Sequence, residues 1–102
     1  MSSQPSAPAP RMTPPTRMIL SYLAEHDDED LWGLRIIGMT DLGPGTVYPL
    51  LGRLEEAGLV SARWEEVNPA DVGRPRRKFW SLTYAGQMKA RSVKTSRKET
   101  RS

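Results

Sequence analysis

Four cations crowd around one proline at Arg74, Pro75, Arg76, Arg77 and Lys78. Guanidinium forks and an ammonium held on a rigid hinge suit phosphate oxygens. Their setting is lopsided. Residues 1–73 carry five basic side chains against eleven acidic ones, a net of −6, whereas residues 74–102 carry ten against one, a net of +9, for an overall charge of +3. A basic third on an acidic body points to a polyanionic partner, and duplex DNA has the phosphate density to match. Charge alone also fits a solvated basic tail. Other chemistries find little foothold. His26 is the single histidine and cysteine is absent, which excludes disulfides and thiolate metal sites. The run His26, Asp27, Asp28, Glu29, Asp30 cannot converge on one ion from consecutive loop positions, so no metal is expected. No nucleophile and base pairing or phosphate loop is present, so neither enzyme activity nor a cofactor is expected.

A second set of residues complements the cations. Val47, Leu50, Leu51 and Leu54 stand at i, i+3, i+4 and i+7, the spacing of one buried helix face. The opposite face carries Thr46, Tyr48, Pro49, Gly52, Arg53 and Glu56, with no bulky acidic residue in its first turns. Such a face can enter a groove, and a tight, small-residue turn at Gly45 lets backbone approach a phosphate. The helix, residues 44–58, begins either at Pro44, leaving Pro49 inside it, or near Thr46, leaving Pro49 in the first turn.

These two sets need a frame to hold them. Residues 1–13, with Pro5, Pro8 and Pro10 among small polar residues, read as a disordered arm. Thr13 followed by Pro14 and Pro15 reads as an N-cap. The helix it starts carries Ile19, Leu20 and Leu23 inward, with Met12 or Thr16 a turn earlier. Asp30 is a plausible cap for a second helix over 31–40, apolar on two faces (Leu34 and Ile37; Trp32, Ile36 and Met39) and therefore expected to be enclosed. A turn of Asp41, Leu42, Gly43 and Pro44 joins it to the leucine-backed helix, the spacing of a helix-turn-helix. Gly58 then closes that helix in the left-handed conformation.

From Leu59 to Glu66, parity separates Val60, Ala62 and Trp64 from Ser61, Arg63 and Glu65, the alternation of a half-buried strand. Residues 67–74 form a turn-rich loop, and a second strand over 77–83 turns Trp80 and Leu82 to one face. Trp64 and Trp80 are expected in the core by this parity. Tyr48, opposite the leucines, is expected at a phosphate or against the turn. Two strands after such a helix make a wing, with residues 67–78 as its arm. The fold expected is an α+β winged helix-turn-helix: a three-helix core, a two-stranded antiparallel wing and a short C-terminal helix within residues 14–91. That last helix, capped by Thr83, would use Ala85, Met88 and Val93 as its apolar contacts, and residues 92–102 would be a basic tail. Arg91, Lys94, Lys98 and Arg101 would share one face if the helix persisted. No apolar run marks a signal peptide or a membrane span, so a cytoplasmic protein without membrane contact is expected.

The stretch PGTVYPLLGRLEEAGLVSARWEE, followed after a loop by GRPRRKFWSLTYAG, resembles the PadR family of bacterial transcriptional regulators. That family's marks are a Pro-Gly-Thr-x-Tyr-Pro helix start, a Leu-x-x-Gly-Leu transition and a Gly-Arg-Pro-Arg wing ending in Leu-Thr-x-x-Gly. The LWGLRII segment looks like its second helix. The resemblance covers residues 14–87 and implies a winged-helix repressor that binds a roughly palindromic double-stranded operator as a homodimer. Carried over by position, it implies that Gly45, Thr46, Tyr48, Pro49 and Arg53, with Gly73, Arg74, Pro75, Arg76 and Arg77, lie at DNA; Lys78 joins them as the last cation of the arm. Family members continue into longer helices after the wing, whereas about twenty weakly apolar residues follow it here. No ligand pocket is carried over, and no effector is assigned. Two other functions use the same frame: an architectural or replication-associated DNA binder, and a winged helix turned to protein recognition.

Overall fold

The computed structural model describes residues 11–101, with side chains as far as Val93. The first helix, α1 (Pro14–Glu25), starts at the expected cap: Thr13 Oγ1 accepts from the Thr16 amide, and Pro14 needs no partner for its missing N–H. Ile19, Leu20 and Leu23 point into the core with Thr16 and Tyr22. The expected arm over residues 1–13 lies mostly outside the described residues.

The second helix, α2, is shorter than expected and spans Gly33–Thr40. Leu31 and Trp32 are extended instead: the Trp80 amide donates to the Leu31 carbonyl at 2.8 Å, and Trp32 bridges Phe79 in antiparallel fashion. A strand that already exists offers these two residues better-placed hydrogen-bond partners than a frayed helical turn does. Asp30 does not cap the helix either; its carboxylate accepts from Arg63 at 2.9 Å, and Trp32 occupies the cap position without a side-chain bond. Nor is α2 enclosed. Gly33, Ile36, Ile37 and Thr40 turn inward, at i, i+3, i+4 and i+7, leaving Leu34 68% and Met39 61% exposed.

Asp41 in the left-handed region (φ 63°) begins the three-residue turn to α3 (Pro44–Glu56). Val47, Leu50, Leu51 and Leu54 are all buried, as their spacing demands. Full burial of each side chain contributes roughly 1.5–3 kcal/mol, so this one stripe fixes the rotation of α3. The helix begins at Pro44, so Pro49 lies inside it and removes the amide that would bond the Gly45 carbonyl. Both residues are exposed, so solvent can reach that carbonyl. At the other end Gly58 (φ 79°) completes a Schellman turn: its amide donates to Glu55 O at 3.0 Å and that of Leu59 to Leu54 O at 2.9 Å.

Strands β1 (Val60–Trp64) and β2 (Lys78–Leu82) pair antiparallel in the register Val60 with Leu82, Ala62 with Trp80 and Trp64 with Lys78. Val60, Trp80 and Leu82 join the core, and Ala62 borders it. Trp64, expected inside, is instead 60% exposed. Its parity is inward, but the core ends at Ala62, and two residues further out the indole borders Lys78 and an open cleft beside the wing loop instead. Phe79 on the reverse face is buried as well, beneath Trp32 and Arg63. The loop between the strands contains a single helical turn, α4 (Pro69–Val72), capped by Asn68.

The last helix, α5 (Tyr84–Arg101), lies against α1. Thr83 caps it as expected, accepting from the Gly86 amide at 3.0 Å while donating to the Gly58 carbonyl at 2.6 Å. The buried face is Gly86, Ala90 and Val93, not Ala85 and Met88, which are exposed. Gly86 sits so close to the Leu59 carbonyl that a Cβ has no room, and this contact sets the helix rotation. The side chains of Lys94, Lys98 and Arg101 in the expected basic stripe lie outside the described residues. Gly86→Ala is expected to lower stability by about 2 kcal/mol or more, as overpacking against backbone does. Gly38→Ala, at an exposed helical site with open space around it, should raise it by roughly 0.5–1 kcal/mol. Urea unfolding of the two variants checks the contrast.

Candidate nucleic-acid interface

The exposed face of α3 presents Gly45, Tyr48, Pro49 and Arg53, with Thr46 and Gly52 half-buried beside them. Tyr48 is 46% exposed, and its ring and hydroxyl lie directly on Gly33, closing off the space a Cβ would need there. That contact joins α3 to the first residue of α2. The next residue back, Trp32, carries the Arg77 guanidinium over its ring at 4.1 Å, with Arg35 at 5.7 Å. Tyr48, Gly33, Trp32 and Arg77 thus form one continuous run of contacts from the open face of α3 to the base of the wing. The sequence offered no signal for this run, because its members come from three separate segments.

The arm of cations is built rather than loose. Arg74 grips Glu65 through both terminal nitrogens, at 2.7 and 3.0 Å, and donates to the Pro75 carbonyl at 3.2 Å. Glu65 also accepts from the Arg77 amide at 3.1 Å, while its own amide donates to Arg77 O at 2.8 Å. Arg76 Nε donates to the Val67 carbonyl at 2.9 Å. Lys78 extends over both Trp80 (4.9 Å) and Trp64 (5.7 Å). Gly73 provides the left-handed turn (φ 70°) after α4. The four cations therefore differ. Arg74 is committed to Glu65, Arg77 and Lys78 rest on aromatic rings, and Arg76 is exposed while its Nε bonds the Val67 carbonyl. Hydrogen bonds from Arg74, then from the Arg77 amide, hold the Glu65 carboxyl at about 2.

An exposed helix face backed by a helix-turn and flanked by a pinned two-stranded arm defines a winged helix-turn-helix protein. The model of the PadR-like family of transcriptional regulators matches residues 29–92. The chain belongs to that family. Among solved structures it is similar to a mutant of Staphylococcus aureus MepR, with a TM-score of 0.76 at 22% identity over 88% of this chain and 61% of that one. A PadR-like transcription factor from Bacteroides fragilis is similar with a TM-score of 0.69 at 28% identity, covering 84% of this chain and 82% of that one. The MepR–DNA complex from S. aureus gives 0.70 at 22% identity, over 87% and 67%. The chain spans about three fifths of the length of three such MepR chains. No curated protein matches the sequence. Among the described residues no helix is long and apolar enough to cross a membrane.

Two outcomes test this geometry. Glu65 ionises in the folded wing at about 2 against an ordinary 4.5, so the folded state binds fewer protons than the unfolded one between those values. Its contribution is complete above pH 4.5 and is lost as pH falls towards 2. Glu65→Gln should therefore be less stable than wild type at pH 6, and urea unfolding should show the difference closing as pH falls. Gly33→Ala should push the Tyr48 ring aside with little loss of stability, seen as a shift of the Tyr48 ring resonances in NMR spectra.

Proposed function

We propose that this chain is a sequence-specific double-stranded DNA-binding repressor that acts as a homodimer on a roughly palindromic operator. The recognition helix, residues 44–58, enters the major groove with Gly45, Thr46, Tyr48, Pro49 and Arg53. The wing, residues 67–78, rides on the backbone or minor groove with Gly73, Arg74, Pro75, Arg76, Arg77 and Lys78. Arg74 works there mainly by shaping the loop through Glu65. The observation that carries this reading is the run from Tyr48 through Gly33 and Trp32 to Arg77. One polyanionic rod laid along it reaches both halves of the surface. The fold shared with a MepR solved in complex with DNA supports the same partner. A regulator without catalytic function, working in the cytoplasm, fits the family and the absence of a catalytic constellation in the sequence.

The division of labour is testable. Selection of bound duplexes from a random pool should return a two-fold symmetric site whose half-sites lie about one helical turn, ~34 Å, apart. Arg53→Ala should reduce discrimination between sites, by up to about 1–3 kcal/mol at one position. Arg76→Ala and Arg77→Ala should weaken every duplex alike and flatten the dependence of log K on log salt by about 0.9 per phosphate lost. A pool that returns no preferred sequence, or a protein that stays monomeric by light scattering at high concentration, refutes the operator-binding dimer.

A further inference from the structure

The exposed indole at the end of β1, Trp64, carries Lys78 at 5.7 Å from its ring and is otherwise without a role above. Trp64 shares a cleft with Pro69, Ala70 and Pro75, and the cleft is rimmed by Arg74 and Arg76 with no acidic residue in its lining. A second hollow, which Trp64 and Arg76 also line, includes Glu65 and Glu66 and suits an anion poorly. The first cleft therefore combines one indole and two prolines with two arginines, of which Arg74 is already paired with Glu65. Its shape is fixed in advance, because Arg74 is locked on Glu65 and Arg76 on the Val67 carbonyl. An aromatic ring held open to water at the end of a paired strand can pack against nucleic acid at little ordering cost.

From these observations we infer that the Trp64 cleft seats a sugar of the DNA backbone, the deoxyribose against the indole and Pro75, and the adjoining phosphate on Arg76. The inference rests on the DNA-binding reading and deepens it. The wing grips through a desolvated apolar contact as well as through charge. That contact releases no counterion, so its contribution is the same at every salt concentration.

Duplex affinity across a salt series separates the possibilities. Trp64→Thr, chosen to keep strand preference while removing the ring, should weaken binding roughly tenfold at each salt concentration with an unchanged slope, the loss expected when one large apolar contact is removed. Trp64→Phe should restore most of the loss. Arg76→Ala should instead flatten the slope. Duplex should also shield the wild-type protein from acrylamide quenching more than it shields Trp64→Phe, since Trp64 is the most open of the tryptophans. Wild-type binding with Trp64→Thr within about twofold, a slope change like that of Arg76→Ala, or no shielding of Trp64 overturns the cleft while leaving DNA binding intact. A wild-type chain that binds no duplex removes both.

Discussion

Trp32 and Gly33, consecutive at the start of α2, each carry a contact to a different half of the exposed surface. The missing side chain at Gly33 admits the Tyr48 ring of α3, and the indole at Trp32 supports the Arg77 guanidinium of the wing. Trp32 is itself held by its bridge to Phe79 and by the bond between its neighbour Leu31 and the Trp80 amide. Helix face and wing therefore meet at one short segment. A guanidinium stacked on an indole gains roughly 0.5–2 kcal/mol, but the larger consequence is positional, since a long side chain that would sample many rotamers is confined.

The wing follows the same logic with different groups. A thirteen-residue segment between two five-residue strands would be costly to order with backbone turns alone. Glu65 closes its base by engaging the Arg74 side chain and the Arg77 amide, while α4 and its Asn68 cap organise the far side. One carboxylate so converts part of a basic cluster into scaffold. The remaining cations stand out from a shaped arm rather than from a flexible tail, which bears on how an anion would be met: by preorganised groups whose desolvation and ordering costs have been met in folding.

Much of this was legible from spacing. The leucine stripe of α3, the Thr13 and Thr83 caps, the Gly58 turn and the alternation within each strand are patterns read over a few residues, and there local preference and final structure agree. The failures share a cause. Trp64 has the correct parity for burial, yet the core ends two residues before it. Leu34 and Met39 are apolar, yet α2 has only one neighbour-facing side. Ala85 and Met88 lost the inward face of α5 to Gly86, Ala90 and Val93 because of one close approach to the Leu59 carbonyl. For Trp64 and α2, periodicity names a face but cannot say where the layer that covers it stops; for α5 a single close contact overrides the face that periodicity names.

The sequence by itself determined the order of elements, the helix that turns its leucines inward, and the charge that gathers after Gly73, since these depend on residue type and on neighbours a turn or a strand pair away. Only tertiary structure decided which cations stand free, which aromatic rings are sealed, and that Tyr48 and Arg77 are linked through α2. Those facts hang on contacts between separate segments, from Glu65 with Arg74 across the wing loop to Trp32 with Arg77 across most of the domain, and the geometry of such contacts is fixed when the layers close on one another, not by any pattern along the chain.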